Sequence, residues 1–290
     1  MIADPRFTGQ PGTFWALVRT LSEAIGYTHR TPKGQKKGSG ALKVHTIADQ
    51  AKALIKLGLD PGLVVGEDGE ATDLGRMLED YFQYRAEVLT KHVEPNLMDM
   101  VQAKAMFEKM RRQFKPKCPL PLNKQKGEKK EPAYLTGIIN MLIERAIAGA
   151  PCNYSPGQLT TFTRDGVPLR TLSRRVDGAF PSAVNPIAVW EFKEYYFTTS
   201  FGSRVADGVY ETLLDGLELQ ELHTATGVRV EHVLFVDAHY TWWVCGKSYL
   251  CRMVDMLNMG LVSEVVFGRE AIDRVPVLAA RWLQELKARA

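Results

Sequence analysis

Ile187-Ala-Val-Trp-Glu-Phe-Lys-Glu-Tyr-Tyr-Phe197 begins as an apolar, β-branched run and then alternates. This is the pattern of a strand that starts in a core and emerges at an edge. Glu191 and Lys193 stand two residues apart inside it, and period-two alternation puts both side chains on one face. The Glu-x-Lys triplet also occurs at Glu128/Lys130 and at Glu285/Lys287, but there it lies in a polar segment and on a terminal helix. A carboxylate and an ammonium beside a core strand carry a desolvation cost unless they are paired or hold a metal. That pair therefore needs a reason.

Working upstream, Leu159 to Thr163 and Pro168 to Val176 read as strands around Arg164-Asp-Gly-Val167, whose Asp-Gly is a hairpin signal. Arg174-Arg-Val-Asp-Gly178 puts Asp177 at the tip of the second strand. The short connection through Pro181 and Pro186 then returns the chain as an antiparallel neighbour, so Asp177 is expected to approach Glu191. Before the strands, Ala133 to Ala150 is helical by spacing, with Leu135, Ile138, Ile139, Leu142 and Ile143 on its apolar side. After them, Arg204 to Thr224 returns to helical spacing and Val228 to Val236 reads as a strand. Tyr240 to Val244 reads as a further strand, and Val275 to Leu286 as a closing amphipathic helix.

Two carboxylates converging where strands splay make an all-oxygen site suited to Mg²⁺, with Mn²⁺ as a substitute, because a hard cation binds one or two carboxylates and keeps water and substrate phosphate. Such an ion supplies an acidified water and stabilises charge in phosphodiester hydrolysis. Lys193 could position that water and offset the charge growing on the phosphate.

Val176-Asp177 followed by Val189-Trp-Glu-Phe-Lys193 resembles the D…ExK signature of the PD-(D/E)xK nuclease superfamily, and the helix-strand-strand-strand-helix-strand order around it is similar to that superfamily's common core. The resemblance spans roughly Ala133 to Val244 and departs from the pattern at Val176, where the family name has proline. It implies a restriction-endonuclease-like α/β fold, a mixed central sheet flanked by helices, with Asp177 and Glu191 as metal ligands. It also implies the Phe192 backbone carbonyl as a further ligand and Lys193 as the catalytic lysine. Family members often add an acidic residue from the preceding helix, and Glu144 in Leu142-Ile-Glu-Arg-Ala146 is the candidate.

The first part of the chain is helical by spacing over 13–25, 45–57, 72–92 and 96–114, with a glycine-rich basic loop at Thr31 to Gly40. Lys115-Pro-Lys-Cys-Pro-Leu-Pro121 breaks the last helix. The expected organisation is a helical region over 1–114 that supports DNA binding, a basic linker over 115–132 and a nuclease domain over 133–290. Arg111 to Lys130 carries eight basic residues and one acidic one, a net +7 that leaves the rest of the chain at −3. A solvated linker and a strap that neutralises phosphates are both compatible with that run. The residues expected to meet phosphate are Lys33, Lys36, Lys37 and Lys43 in and after the loop, and Arg111, Arg112, Lys124 and Lys126 in the strap. Ser203 and Arg204 join them at a helix start, where backbone donors suit phosphate, although simple capping by Ser200 or Ser203 is the alternative.

The chain has 290 residues and a formal net charge of +4. It shows neither a long apolar run for a membrane helix nor a signal-peptide pattern, so a cytoplasmic location is expected. Cys118, Cys152, Cys245 and Cys251 form no CxxC pair, the six histidines form no paired spacing, and no GxxxxGK[ST] occurs, so zinc sites, disulfides and a nucleotide cofactor are not expected. The expectation is a type II-like restriction or phage-defence endonuclease acting on double-stranded DNA. A homodimer would match the two-fold symmetry of a duplex target. The rivals are a structure-specific repair or mobile-element nuclease and a DNA-binding protein that keeps the fold without catalysis.

Overall fold

The computed structural model describes residues 1–31, 33–34, 37–123, 130–198 and 201–289. The chain opens with α1 (Gly12–Ile25), α2 (Ile47–Lys56) and α3 (Asp73–Val88). These pack around Phe14, Trp15, Leu21, Leu54, Tyr81 and Phe82. Thr46 caps α2 through the Asp49 amide and Thr72 caps α3 through the Gly75 amide, each satisfying a donor that the first turn leaves open. After α3 the chain continues through a π turn (Leu89–Val93) into the single turn α4 (Glu94–Asn96), and then α5 (Met100–Phe114), which starts at an Asp99/Gln102 capping box.

Helix α6 (Tyr134–Ala146) leads to a separate hairpin of β1 (Thr161–Arg164) and β2 (Val167–Thr171). The main sheet holds β3 (Gly178–Phe180), β4 (Ala188–Glu194), β5 (Glu231–Asp237) and β6 (Glu264–Phe267) in the order β3-β4-β5-β6. The first pair is antiparallel and the other two are parallel. Helix α7 (Ser203–Thr226) crosses from β4 to β5, α8 (Lys247–Asn258) from β5 to β6, and α9 (Ala271–Arg289) closes the chain. Alternation divides the sheet: Ala188, Trp190, Val233 and Phe235 face α6 and α9, where Trp190 stacks on Trp282 at 5.5 Å. Leu234, Val236 and Val265 face α8, and Val189 meets Leu219 and Leu222 of α7. The architecture is mixed α/β with helices on both faces of a four-stranded sheet.

Two sequence expectations change here, and two elements were not anticipated. Asp177 does not end the hairpin strand: β2 stops at Thr171, and Asp177 immediately precedes β3, whose three residues are too short a run to show periodicity. Tyr240–Cys245 is a π-helical turn instead of a strand. Its consecutive Thr241, Trp242 and Trp243 are all buried, which a strand with alternating faces cannot provide. Helix α8 and strand β6 went unread, although Leu250, Val254 and Leu257 recur at helical spacing. Helix α5 packs into the C-terminal core through Ala103, Phe107 and Met110.

The N-terminal helices are clamped to the rest by Arg85, 2% exposed, which ion-pairs with Asp255 of α8 at 3.1 Å, while Tyr81 donates its hydroxyl to the same carboxylate. Among the described residues no helix is long and apolar enough to cross a membrane. All four cysteines are free.

Candidate active site

Strand β3 is so short that the C-terminal half of β4 has a free edge, and Asp177 sits where that edge begins. The Asp177 amide donates to the Trp190 carbonyl at 3.1 Å, and the Phe192 amide donates to Asp177 Oδ2 at 2.8 Å. Within a strand, one residue's N–H and C=O point to the same side. The Phe192 carbonyl therefore faces the same edge as the Asp177 carboxylate. Gly178 makes this approach possible, since a Cβ there would fall 2.0 Å from the Trp190 ring.

Glu191 and Lys193 share the α7 face of β4, 1% and 3% exposed, with Lys193 Nζ 3.2 Å from Glu191 Oε2. Arg174 bridges the same carboxylate, 3.0 Å away, to Asp215 at 2.5 Å and Glu211 at 3.2 Å on α7. The Asp177 amide also donates to Glu191 Oε1 at 3.3 Å, so the start of β3 lies beside the Glu191 carboxylate. Four carboxyl groups thus surround two cations. Burial pushes the Asp177 carboxyl up to about 6, with the neighbouring Glu191 charge adding to the shift. Burial and the same charge push Asp215 up to about 7. Glu191 is also buried, but Lys193 and Arg174 outweigh that and hold it below the usual carboxylate range.

The free edge of β4 floors a cavity of about 480 Å³. Asp177 and Phe192 lie at its floor, Arg204, Asp207 and Glu211 come from the first turns of α7, and Thr136 and Asn140 come from α6. The segment around Pro121 and Asn123 and the pair Tyr154 and Ser155 close the remaining wall. Glu194 also lines it, accepting from the Thr136 amide and hydroxyl at 3.0 Å each, and burial pushes its carboxyl up to about 7. A second cavity of about 270 Å³, between α1 and α7/α8, is walled mainly by Trp15, Tyr27, Tyr210 and methionines. Its carboxylate, Asp255, is already engaged by Arg85 and Tyr81.

Among the described residues no three His, Cys, Asp or Glu side chains are arranged to hold a metal ion. An ion at the free edge would have Asp177 and the Phe192 carbonyl as its donors and would complete its shell with water and substrate oxygen, the low-protein coordination that suits Mg²⁺, whereas Glu191 does not line the cavity and would join only by giving up Arg174 or Lys193. The donor set fits a hard divalent cation because it is all oxygen, and burial, with the neighbouring Glu191 charge, disfavours the ionised Asp177 carboxyl, a penalty that a bound cation would relieve.

The other sequence candidates separate. Glu144 is not in the cavity, because its carboxylate accepts the Lys117 amide at 3.0 Å and so braces the segment after α5. Arg204 lines the cavity and Ser203 opens α7 beside it, with Gly202 as N-cap and no side-chain cap bond. Arg111 and Arg112 are exposed on the last turn of α5, and Lys33 is exposed in a turn. Lys37 lies over the Tyr240 ring at 5.9 Å. Lys43 is spent locally, donating to the Ile25 carbonyl at 2.7 Å. Lys36, Lys124 and Lys126 lie outside the described residues, as does Ser200. The basic loop is less free than its composition suggests: Lys247, stacked on Trp243, donates to the carbonyls of Gly38 and Gly40. Sequence reading missed Arg174, Glu211 and Asp215. The signal was present as the run Asp207, Glu211, Asp215, Glu218, an acidic stripe at helical spacing directly after the candidate strand.

A mixed α/β fold with a charged cavity at the free edge of a central strand is the class that the packing defines. The chain belongs to the family described as Domain of unknown function (DUF7687), which matches residues 98–282, and residues 1–92 match a second, Domain of unknown function (DUF7690). Residues 93–97, just before α5, separate the two matches. No curated protein matches the chain, and no solved structure does.

Proposed function

We propose that this chain is a Mg²⁺-dependent DNA endonuclease of the PD-(D/E)xK type, with Mn²⁺ as a substitute ion, acting on double-stranded DNA in a restriction or phage-defence role. The observation that carries the reading is the meeting of Asp177 with the Glu191–Lys193 strand at a solvent-open edge, with the Phe192 amide on Asp177 at 2.8 Å and Lys193 Nζ at 3.2 Å from Glu191. Bound at this edge, the ion supplies an acidified water and charge compensation for the phosphate.

The protein's own groups do the rest. Asp177 and the Phe192 carbonyl orient oxygen ligands along the edge, and Glu191, held by Arg174, keeps the Lys193 ammonium aimed past it. Lys193 donates to the attacking water and offsets charge on the phosphate oxygens. The water oxygen bonds to phosphorus as one P–O ester bond breaks, the water losing a proton and the departing oxygen gaining one. Arg204 and the first turn of α7 offer donors to a neighbouring phosphate. A homodimer would present two such edges to the two strands of a duplex.

The engagement of Glu191 by Arg174, Lys193 and the Asp177 amide favours a second reading, a DNA-binding protein that has kept the fold and lost the reaction. Incubating the protein with plasmid and phage DNA, in Mg²⁺ or in EDTA, separates the two. Metal-dependent cutting that disappears in Asp177→Ala and Lys193→Ala supports the nuclease. DNA binding that survives chelation without any cutting supports the binding protein, and cutting that survives both substitutions rejects the site. Discrete bands mark sequence choice, and smears or nicks mark the structure-specific alternative.

A further inference from the structure

Asn140 stands one turn beyond Thr136 on α6 and is 1% exposed, yet it lines the same cavity as Asp177 and Phe192. Its Nδ2 donates to the Pro119 carbonyl at 2.8 Å, and its Oδ1 has no hydrogen-bond donor among the described residues. The orientation of this amide is set by chemistry. Exchanging its oxygen and nitrogen would place two acceptors face to face at Pro119, which has a carbonyl and no N–H to offer. A buried carbonyl oxygen is therefore left without a donor in the wall of a polar cavity, and buried acceptors without partners are rare because they lose the bonds water would give them. Tyr154 lines the same cavity, and the cavity's 480 Å³ falls in the range of small-ligand sites.

We propose that this end of the cavity is a nucleobase subsite in which Asn140 Oδ1 accepts a hydrogen bond from the exocyclic amine of cytosine or adenine while the base stacks on Tyr154. The assignment rests on the nuclease reading: with a phosphate at the Asp177 edge, the adjoining group on the strand is a base, reached in single-stranded DNA or turned out of a duplex. A keto group at the same position, as in uracil or hypoxanthine, would set oxygen against oxygen. Asn140 is thus a specificity-determining residue, and Thr136, which anchors Glu194 one turn away, keeps the wall in place.

The test is fluorescence anisotropy of the full chain in EDTA with labelled single-stranded oligodeoxycytidine and oligodeoxyuridine, and with adenine and hypoxanthine oligomers. The wild type should bind each amino-bearing oligomer about tenfold tighter than its keto partner, one hydrogen bond's worth. Asn140→Leu should reduce that ratio to near one, whereas Asp177→Ala should keep it. Equal affinities in the wild type, no binding of any oligomer, or an unchanged ratio in Asn140→Leu would each overturn the proposal, and the wild-type comparison needs no variant to fold. Cutting without amine preference ends the base subsite and leaves the nuclease, whereas amine preference without cutting does the reverse.

Discussion

Arg174 Nη1 lies 3.0 Å from Glu191 Oε1, and that contact ties the approach to β3 to the centre of β4 beneath α7. The same guanidinium holds the buried Asp215, so one side chain compensates carboxylates on two elements. Arg174→Met removes it and leaves Glu191 and Asp215 buried with only Lys193 close by. Breaking a buried ion pair in this way costs about 3–5 kcal/mol. Urea unfolding should show that loss. A midpoint equal to the wild type would mean that the carboxyl groups simply take up protons in its place.

Lys193→Met keeps the bulk of the side chain and leaves Glu191 with Arg174, so the fold should survive. Metal-dependent cleavage should fall by about two to three orders of magnitude, the usual cost of removing one donor aimed at developing charge. DNA affinity in EDTA should change little. Retained cleavage would reduce Lys193 to a counter-ion for Glu191.

Asp255→Ala strips the partner from Arg85, a guanidinium 2% exposed between the N-terminal helices and α8. An uncompensated buried charge is again worth about 3–5 kcal/mol. The expected signature is regional: amide exchange should speed up in α1–α3 before it does in the main sheet. Uniform protection would show that the two parts do not depend on this clamp.

His45 is fully buried, with Nε2 donating to the Gly26 carbonyl at 3.0 Å and its ring against Phe82. Burial lowers its pKa to about 4, below the ordinary value near 6.5. Between those limits the unfolded chain binds the extra proton, so His45 stabilises the fold fully above pH 6.5 and loses that contribution as pH falls toward 4. The loss is about 3 kcal/mol. Stability measured against pH should slope less in His45→Gln than in the wild type across this window; parallel curves would assign the slope to other groups.

Arg111 and Arg112 project from the last turn of α5 into solvent. If they meet phosphate, the double alanine variant should flatten the plot of log K against log salt by about two units, nearly one per lost contact. An unchanged slope would return the basic run to the role of a solvated linker.

The helices of the first part, the strand at 188–194 and the pairing of Glu191 with Lys193 were all readable from local order, because periodicity and caps are properties of neighbouring residues. So was the partnership of Asp177 with that strand, since Gly178 and two nearby prolines leave the chain little choice of return path. What periodicity cannot report is which distant groups compensate a buried charge. Glu144 looked suited to the site but is drawn to the Lys117 amide, while Arg174, Glu211 and Asp215 converge on Glu191 from segments up to 41 residues apart along the chain. Tyr240–Cys245 became a turn because Trp242 Nε1 reaches the Lys193 carbonyl at 3.1 Å, a bond between side chain and backbone across the sheet's end. By itself the sequence determined the first helices, the strand at 188–194 and the shared face of Glu191 and Lys193. Tertiary packing alone decided the charge balance around them and the orphan acceptor at Asn140, because desolvation depends on everything within a few ångströms, whatever its distance along the chain.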